Sequence, residues 1–225
     1  MISGVAIFAN GYGVRAWTEI SDPTTYTTLK NLVAALILLI AAAVVGRRSP
    51  DRTDRSSIKQ HWLGLSVIAI VGGSLSFVLF FEGLARATSS DAAFIHKTLV
   101  VWVAVLAVSF LHEKIGTLHI AAIALLVWGL VALTGGVDGI TFGPGEWMIL
   151  AATVLWSVET VIAKRVLFSV PSLTVAVARM AGGAVVLVVY GFARGAFSGL
   201  TGVTPGHIGW ILITGLTLSC YVAIW

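Results

Sequence analysis

Charge is what this sequence is short of. Asp, Glu, Lys and Arg make up 11% of its 225 residues, where a soluble domain carries about 25%. A water-facing surface cannot be assembled from that stock, so an ordinary soluble globular domain is excluded. Cysteine is scarcer still. Cys220 is the only one, and it lies in an apolar run, which rules out a disulfide within the chain and a thiolate metal cluster. The sequence has no HExxH, GxSxG or glycine-rich phosphate motif. His112 and His119 are seven apart but straddle a turn at Gly116, which makes shared metal ligation a poor prospect. No metal and no cofactor are expected. The first apolar run has no basic residue before it, so no signal peptide is expected either.

What fills the chain is hydrocarbon. Hydrophobic residues make up 58% of it and the mean hydropathy is +0.98. Apolar runs recur along the length, each near the ~20 residues that cross a bilayer as a helix. These runs predict an all-α, polytopic membrane helix bundle. Spans are expected over Met1–Trp17 (short), Thr24–Val45, Trp62–Leu84, Asp91–Leu111, Leu118–Leu133, Trp147–Ile162, Pro171–Phe192 and from His207 onward. Pro23 suits the first turn of the second span, and Pro171 takes the same place before the seventh. The loop GGVDGITFGPGE, from Gly135 to Glu146, reads as a linker.

The net charge of +4 is concentrated in a few loops, so it reports topology rather than a nucleic-acid partner. One set of alternate loops holds Arg47, Arg48, Arg52, Arg55, Lys59, Lys114, Lys164 and Arg165; the opposite set holds Arg86 and Arg194. The first set is expected to be cytoplasmic, which puts the turn at Glu19–Pro23 outside.

The pattern then repeats. DPTTYTTLKNLVAALILLIAAAVVG from Asp22 matches VPSLTVAVARMAGGAVVLVVYGFARG from Val170 in type: proline, hydroxyl residues, a basic residue seven or eight positions after the proline, and an unbroken apolar run. HWLGLSVIAIVGGSLSFVLFF likewise resembles HIGWILITGLTLSCYVAIW. Five spans lie between equivalent points, and an odd number reverses the direction of travel. Two units of opposite orientation are therefore expected, residues 1–135 and 145–225, the arrangement of many secondary transporters with the binding site between repeats at mid-membrane. Trp225 aligns near Phe80, so the second unit is expected to hold three spans of five, and the chain eight spans of a ten-span parent whose C-terminal spans are missing.

These features together resemble the EamA family of the drug/metabolite transporter superfamily. The resemblance rests on the repeat order, the Pro23/Lys30 and Pro171/Arg179 pairs, the fourth span closing on LHEKIG, and Trp156-x-x-Glu159 followed by Lys164-Arg165. Relatives often have a proline early in the fourth span, where this chain has Val100. The resemblance implies ten helices, an inverted repeat, and export or exchange of a small organic metabolite by alternating access. It also implies a multi-pass protein of a bacterial cell (inner) membrane, surrounded by lipid. It leaves the cargo, the coupling ion and the oligomeric state open.

Ionisable groups at membrane depth are costly and mark function by default. Three of them, Glu82, His96 and Lys97, lie in FFEGLARATSSDAAFIHKTLVVWVAVLAVSFLHEKIG, from Phe80 to Gly116. Lys30, about 10 Å into the second span at ~1.5 Å per residue, shares the outer third of the membrane with Glu82 and Lys97. The three are expected to form one cluster; the alternative is lysines that snorkel to the headgroups and a Glu82 that faces water. His96 and Lys97 point roughly 100° apart, so they cannot both face one cavity. His96 is a candidate proton carrier or a hydrogen-bonded packing residue. Glu159 and Arg179 belong to the inner half, Glu159 as a proton or cation site or as the fixed partner of Arg179 or Lys164. Arg179, the repeat-mate of Lys30, reads as a salt bridge, a gate or a substrate anchor. Glu113 is expected to be structural, fixing the turn after the fourth span. Paired glycines, Gly72-Gly73 and Gly182-Gly183, are expected to allow close helix packing.

Two readings from other classes stand beside the transporter: a truncated, non-transporting membrane protein or assembly scaffold, and an intramembrane enzyme acting on lipid. The enzyme would need a nucleophile or metal constellation, and none is visible.

Overall fold

The computed structural model describes residues 2–48, 55–114, 116–133 and 142–224. Part of the basic loop after the second span and most of the glycine-rich linker lie outside the described residues. Those residues form a helical bundle without strands: α1 (Ile2–Thr18), α2 (Pro23–Arg48), the short α3 (Arg55–Gln60), α4 (Trp62–Leu84), α5 (Ser89–Leu111), α6 (Thr117–Leu133), α7 (Pro144–Val166), α8 (Ser172–Arg194) and α9 (Pro205–Ile224). Helices α2, α4, α5, α7, α8 and α9 are long and apolar enough to cross a membrane. The other two expected spans, α1 and α6, are helices of 17 residues each, ~25 Å at the usual rise.

Local chemistry sets the helix ends. The Asp22 carboxylate accepts the Thr24 amide at 2.7 Å where Pro23 opens α2. Thr88 caps α5 by accepting the Asp91 amide at 3.1 Å. Pro144 opens α7, and Glu146 reaches back to accept the Gly143 amide at 2.9 Å. Pro171 sits just before α8 in an extended conformation, a place its fixed φ allows. Helix α5 ends on His112 at φ 54° and α8 on Gly195 at φ 66°; in this left-handed region glycine fits without strain and histidine does not.

The bundle is apolar outside and mixed inside. Phe8, Leu36, Trp62, Val185 and Phe192 are exposed, while Thr24, Thr25, Thr27, Thr28, Asn31, Thr153 and Ser157 are buried. Most of these hydroxyls are satisfied one turn back, as in Thr28 to the Thr24 carbonyl at 2.7 Å and Ser157 to the Thr153 carbonyl at 2.8 Å. Inside-facing small polar residues with a hydrocarbon exterior are what a bilayer solvent demands. Helix α6 stands at the edge without extended packing on another helix, its Leu118 and Trp128 exposed.

Three helices depart from regular winding. Residues Ile68–Leu75 of α4 and Ala178–Gly182 of α8 are π-helical, and α5 tightens at Thr98, whose amide and hydroxyl both bond to the Ile95 carbonyl. The two π segments cross each other at the glycine pairs. A Cβ on Gly73 would sit 2.0 Å from the Arg179 carbonyl oxygen, and one on Gly183 would sit 2.3 Å from the Gly73 carbonyl oxygen. Backbone meets backbone here, so neither side can yield.

Gly73→Ala is therefore expected to destabilise the protein by about 1–3 kcal/mol or more. Gly129→Ala in α6, where an added Cβ meets nothing within 4 Å, should be neutral or stabilising by about 1 kcal/mol. Thermal midpoints in detergent compare the two; equal loss at both sites would contradict the crossing.

Candidate functional site

Six ionisable residues stood out in the sequence, and the fold separates them. Lys30, His96, Glu159 and Arg179, contributed by α2, α5, α7 and α8, line one cavity of about 110 Å³. Glu82 and Lys97 are not among its lining residues.

The cavity has two charged walls. On one, Glu159 is 1% exposed and pairs with Arg179 at 3.3 Å; the carboxylate accepts no other polar group among the described residues. Gly72 makes room for it, because a Cβ there would lie 2.3 Å from Glu159 Cγ. On the other wall, Lys30 is 2% exposed. Its ammonium donates to Asn10 Oδ1 at 2.9 Å and stands 3.6 Å from the centroid of the Phe81 ring, with Phe77 and Tyr26 further off at 5.5 and 5.7 Å. Asn10 Oδ1 also accepts the Tyr26 hydroxyl at 3.0 Å, and that hydroxyl lies 2.9 Å from Thr214 Oγ1. No carboxylate lies within salt-bridge distance of Lys30 among the described residues.

Between these walls is an aromatic shelf. Trp156 packs on Phe77, Phe80 and His96 with ring centroids 5.2–5.3 Å apart, and its indole N–H donates to the Gly72 carbonyl at 3.0 Å. His96 is held edge-on between Phe80 and Trp156, with Nδ1 buried and without a hydrogen-bond partner among the described residues.

Glu82 belongs to a different group, at one end of the bundle. Its carboxylate takes Arg86 at 2.6 Å and the Thr24 hydroxyl at 3.2 Å, with Arg194 at 3.7 Å; Arg194 also reaches Asp22 at 3.7 Å. Burial alone would raise the Asp22 carboxyl, but hydrogen bonds from the Thr24 amide and hydroxyl and with the Glu82 carboxyl, together with the Arg194 cation, outweigh it and hold Asp22 below its ordinary value. Ser21 and Thr25 bond to the Ala196 carbonyl, and the Trp17 indole donates to the His207 carbonyl. The α1–α2 turn and the α8–α9 loop are thus laced together. The expected pairing of Glu82 with Lys30 is not formed: Arg86, one turn after Glu82, takes the carboxylate, and Asn10 takes the Lys30 ammonium. Lys97 is half-buried at the end of the first part of α5.

The opposite end has its own tie. Lys164 bonds to Glu113, and Arg165 donates to the Phe110 carbonyl at 2.6 Å. Glu113 therefore joins the ends of α5 and α7, where the sequence suggested only that it fixes its own turn. Clefts lined by Thr160, Lys164, Leu167 and Phe168, and by Leu167, Val175, Arg179 and Val222, adjoin the cavity on this side and share Thr160, Arg179 and Val222 with it.

Sequence reasoning missed Asn10, Tyr26 and the Phe77/Phe80/Phe81 wall as site residues. Their signal was present in part: Asn10 is a rare polar residue in the first apolar run, and Trp156 precedes Glu159 by three positions, on one helix face.

Fold and site define a polytopic helical membrane protein with a polar cavity in its interior. The sequence model of the EamA-like transporter family matches residues 2–135. The chain belongs to that family, within the drug/metabolite transporter superfamily. A chloroplastic WAT1-related protein of Arabidopsis thaliana is 26% identical over 153 residues, 65% of this chain; the chain spans 35% of that protein's length. A solved crystal structure shares the fold with a TM-score of 0.66 at 18% identity, covering 98% of this chain and 75% of the other.

Removing one partner of a buried ion pair leaves a charge uncompensated. Arg179→Met is therefore expected to cost about 3–5 kcal/mol, and adding Glu159→Gln to it should restore part of the loss. A double-mutant cycle on thermal or denaturant midpoints checks this; strictly additive losses would contradict the pair.

Proposed function

We propose that the protein is a secondary transporter of a small organic metabolite, working by alternating access, with Lys30, His96, Glu159 and Arg179 around the transported molecule. One observation carries the reading: four ionisable residues from four helices face a common cavity in the interior instead of the lipid. Intramembrane ionisable groups are tolerated in such a setting and rarely elsewhere.

The arrangement also supports two oppositely oriented units, residues 1–135 and 145–225. The family match over 2–135 coincides with the first unit, and the repeat-mates Lys30 and Arg179 meet at the same cavity. In this reading the Asp22–Arg194–Glu82–Arg86 network closes the outer end, while the clefts beside Thr160 and Leu167 lead to the cytoplasmic end. Glu159 is the candidate proton carrier, exchanging its bond to Arg179 for a proton. Lys97 would then have a peripheral role. A bacterial cell (inner) membrane is the proposed setting.

The test is export. Cells producing the full-length protein, a vector control, and the Glu159→Gln, Lys30→Met and Lys97→Met variants are compared by mass spectrometry of the medium, with membrane levels matched by immunoblot. The wild type should raise at least one small metabolite above the vector. Glu159→Gln and Lys30→Met should return it to vector level, and Lys97→Met should keep most of it. A wild-type profile identical to the vector, or full export by both cavity variants, would contradict the proposal.

A further inference from the structure

We infer that the cavity takes a small organic monoanion, a carboxylate with a compact apolar body, seated with its charge against Lys30. This rests on the cavity being the substrate site and names the class of molecule that fits it. The inference begins with the charges on the wall. Glu159 and Arg179 are paired at 3.3 Å and offset each other. Lys30 has no carboxylate within 4 Å among the described residues, yet it is 2% exposed. With Lys30 protonated, the lining would carry one net positive charge at a depth where an uncompensated charge is costly, and a bound carboxylate is what would hold the proton there.

The partners of Lys30 sharpen the point. An ammonium has three donors, and one is spent on Asn10. The Asn10 oxygen is shared with the Tyr26 hydroxyl, so it is a divided acceptor. The face of Phe81 gives the charge a weak partner at 3.6 Å. Such contacts hold the ammonium in place while leaving donors toward the cavity, where a ligand carboxylate would supply the missing negative charge through charge-assisted bonds. His96 Nδ1, also buried on this lining and unpartnered among the described residues, offers a second polar contact to a ligand oxygen.

The same geometry argues against a cationic ligand. A ring of aromatic side chains is ordinarily a place for a cation, but here the protein's own Lys30 occupies it. The remaining wall, Phe77, Phe80 and Trp156, is apolar and suits the body of the molecule. A cavity of about 110 Å³ is below the ~150 Å³ of a closed cavity that takes one benzene, so a single ring with its carboxylate is the upper limit and needs the adjoining clefts, which share Thr160, Arg179 and Val222 with the cavity, for part of its room.

Benzoate, its neutral isostere benzamide and benzylamine are probes of matching size and different charge. Equilibrium binding of radiolabelled benzoate to the purified full-length protein, with the other two as competitors, needs no variant. Benzoate is expected to bind at least ~30-fold more tightly than benzamide, the scale of a buried charge partner, and benzylamine should not compete. Lys30→Met should lower benzoate affinity by a similar factor and leave benzamide unchanged, and Lys30→Arg should recover part of it. Absent benzoate binding, equal affinity for benzamide or benzylamine, or full benzoate affinity in a folded Lys30→Met protein would each overturn the inference. The two readings fail separately. Export with no preference for the anion removes the charge assignment and keeps the transporter, while anion binding without export does the reverse.

Discussion

A charged side chain buried among helices in a hydrocarbon solvent must be compensated by the protein itself, and much of this structure answers that demand. Water, which would hydrate Lys30 or Glu159 in a soluble domain, is excluded from the surface they would otherwise face. Each charge therefore draws a set of neighbours inward. Glu159 of α7 takes Arg179 of α8 past the Gly72-Gly73 pair of α4, and Lys30 takes an amide oxygen and the faces of three aromatic rings. The helices that supply those neighbours are thereby fixed in register.

Backbone irregularity follows from the same demand. Bringing Arg179 to Glu159 requires α4 and α8 to cross closely, and they do so on glycine, with π-helical winding on both sides of the contact. The Trp156 indole donates to a carbonyl of this π-helical stretch, at Gly72. Single-turn π segments recur at functional sites. Here the irregular turns, the aromatic shelf and the ion pair share one neighbourhood. The ends of the bundle are held differently, by partly exposed ion pairs such as Lys164 with Glu113 and Arg194 with Asp22. Exposed pairs contribute little stability and break at low cost, so the ends are easier to open than the middle.

Much of this was legible in the residues. Apolar run length placed the helices to within a few positions, since a bilayer fixes how many residues a span needs. The 100° offset between adjacent helical positions correctly said that His96 and Lys97 would face apart, and the structure gives the cavity to His96. Depth put Glu82 near the end of its helix, but depth does not choose a partner. Arg86 was read as part of a loop, and in the structure it lies one turn from Glu82 and claims it. Asn10 stood out only as a rare polar residue in the first apolar run, and Tyr26 not at all, because their role is set by a meeting of α1, α2 and α9 that no local pattern encodes. The π segments were hidden for a similar reason: they answer to the crossing of two helices, not to propensity.

The central claim is that these charges share a water-accessible interior cavity. Cysteine accessibility tests it most directly. In a Cys220→Ser background, single cysteines at the lining positions Thr160, Thr217 and Leu99 are compared with the lipid-side position Leu36, using a charged, water-soluble thiosulfonate on inside-out vesicles. Labelling of the three lining positions with Leu36 silent is the result expected; labelling confined to Leu36, or absent from all three, would contradict the account.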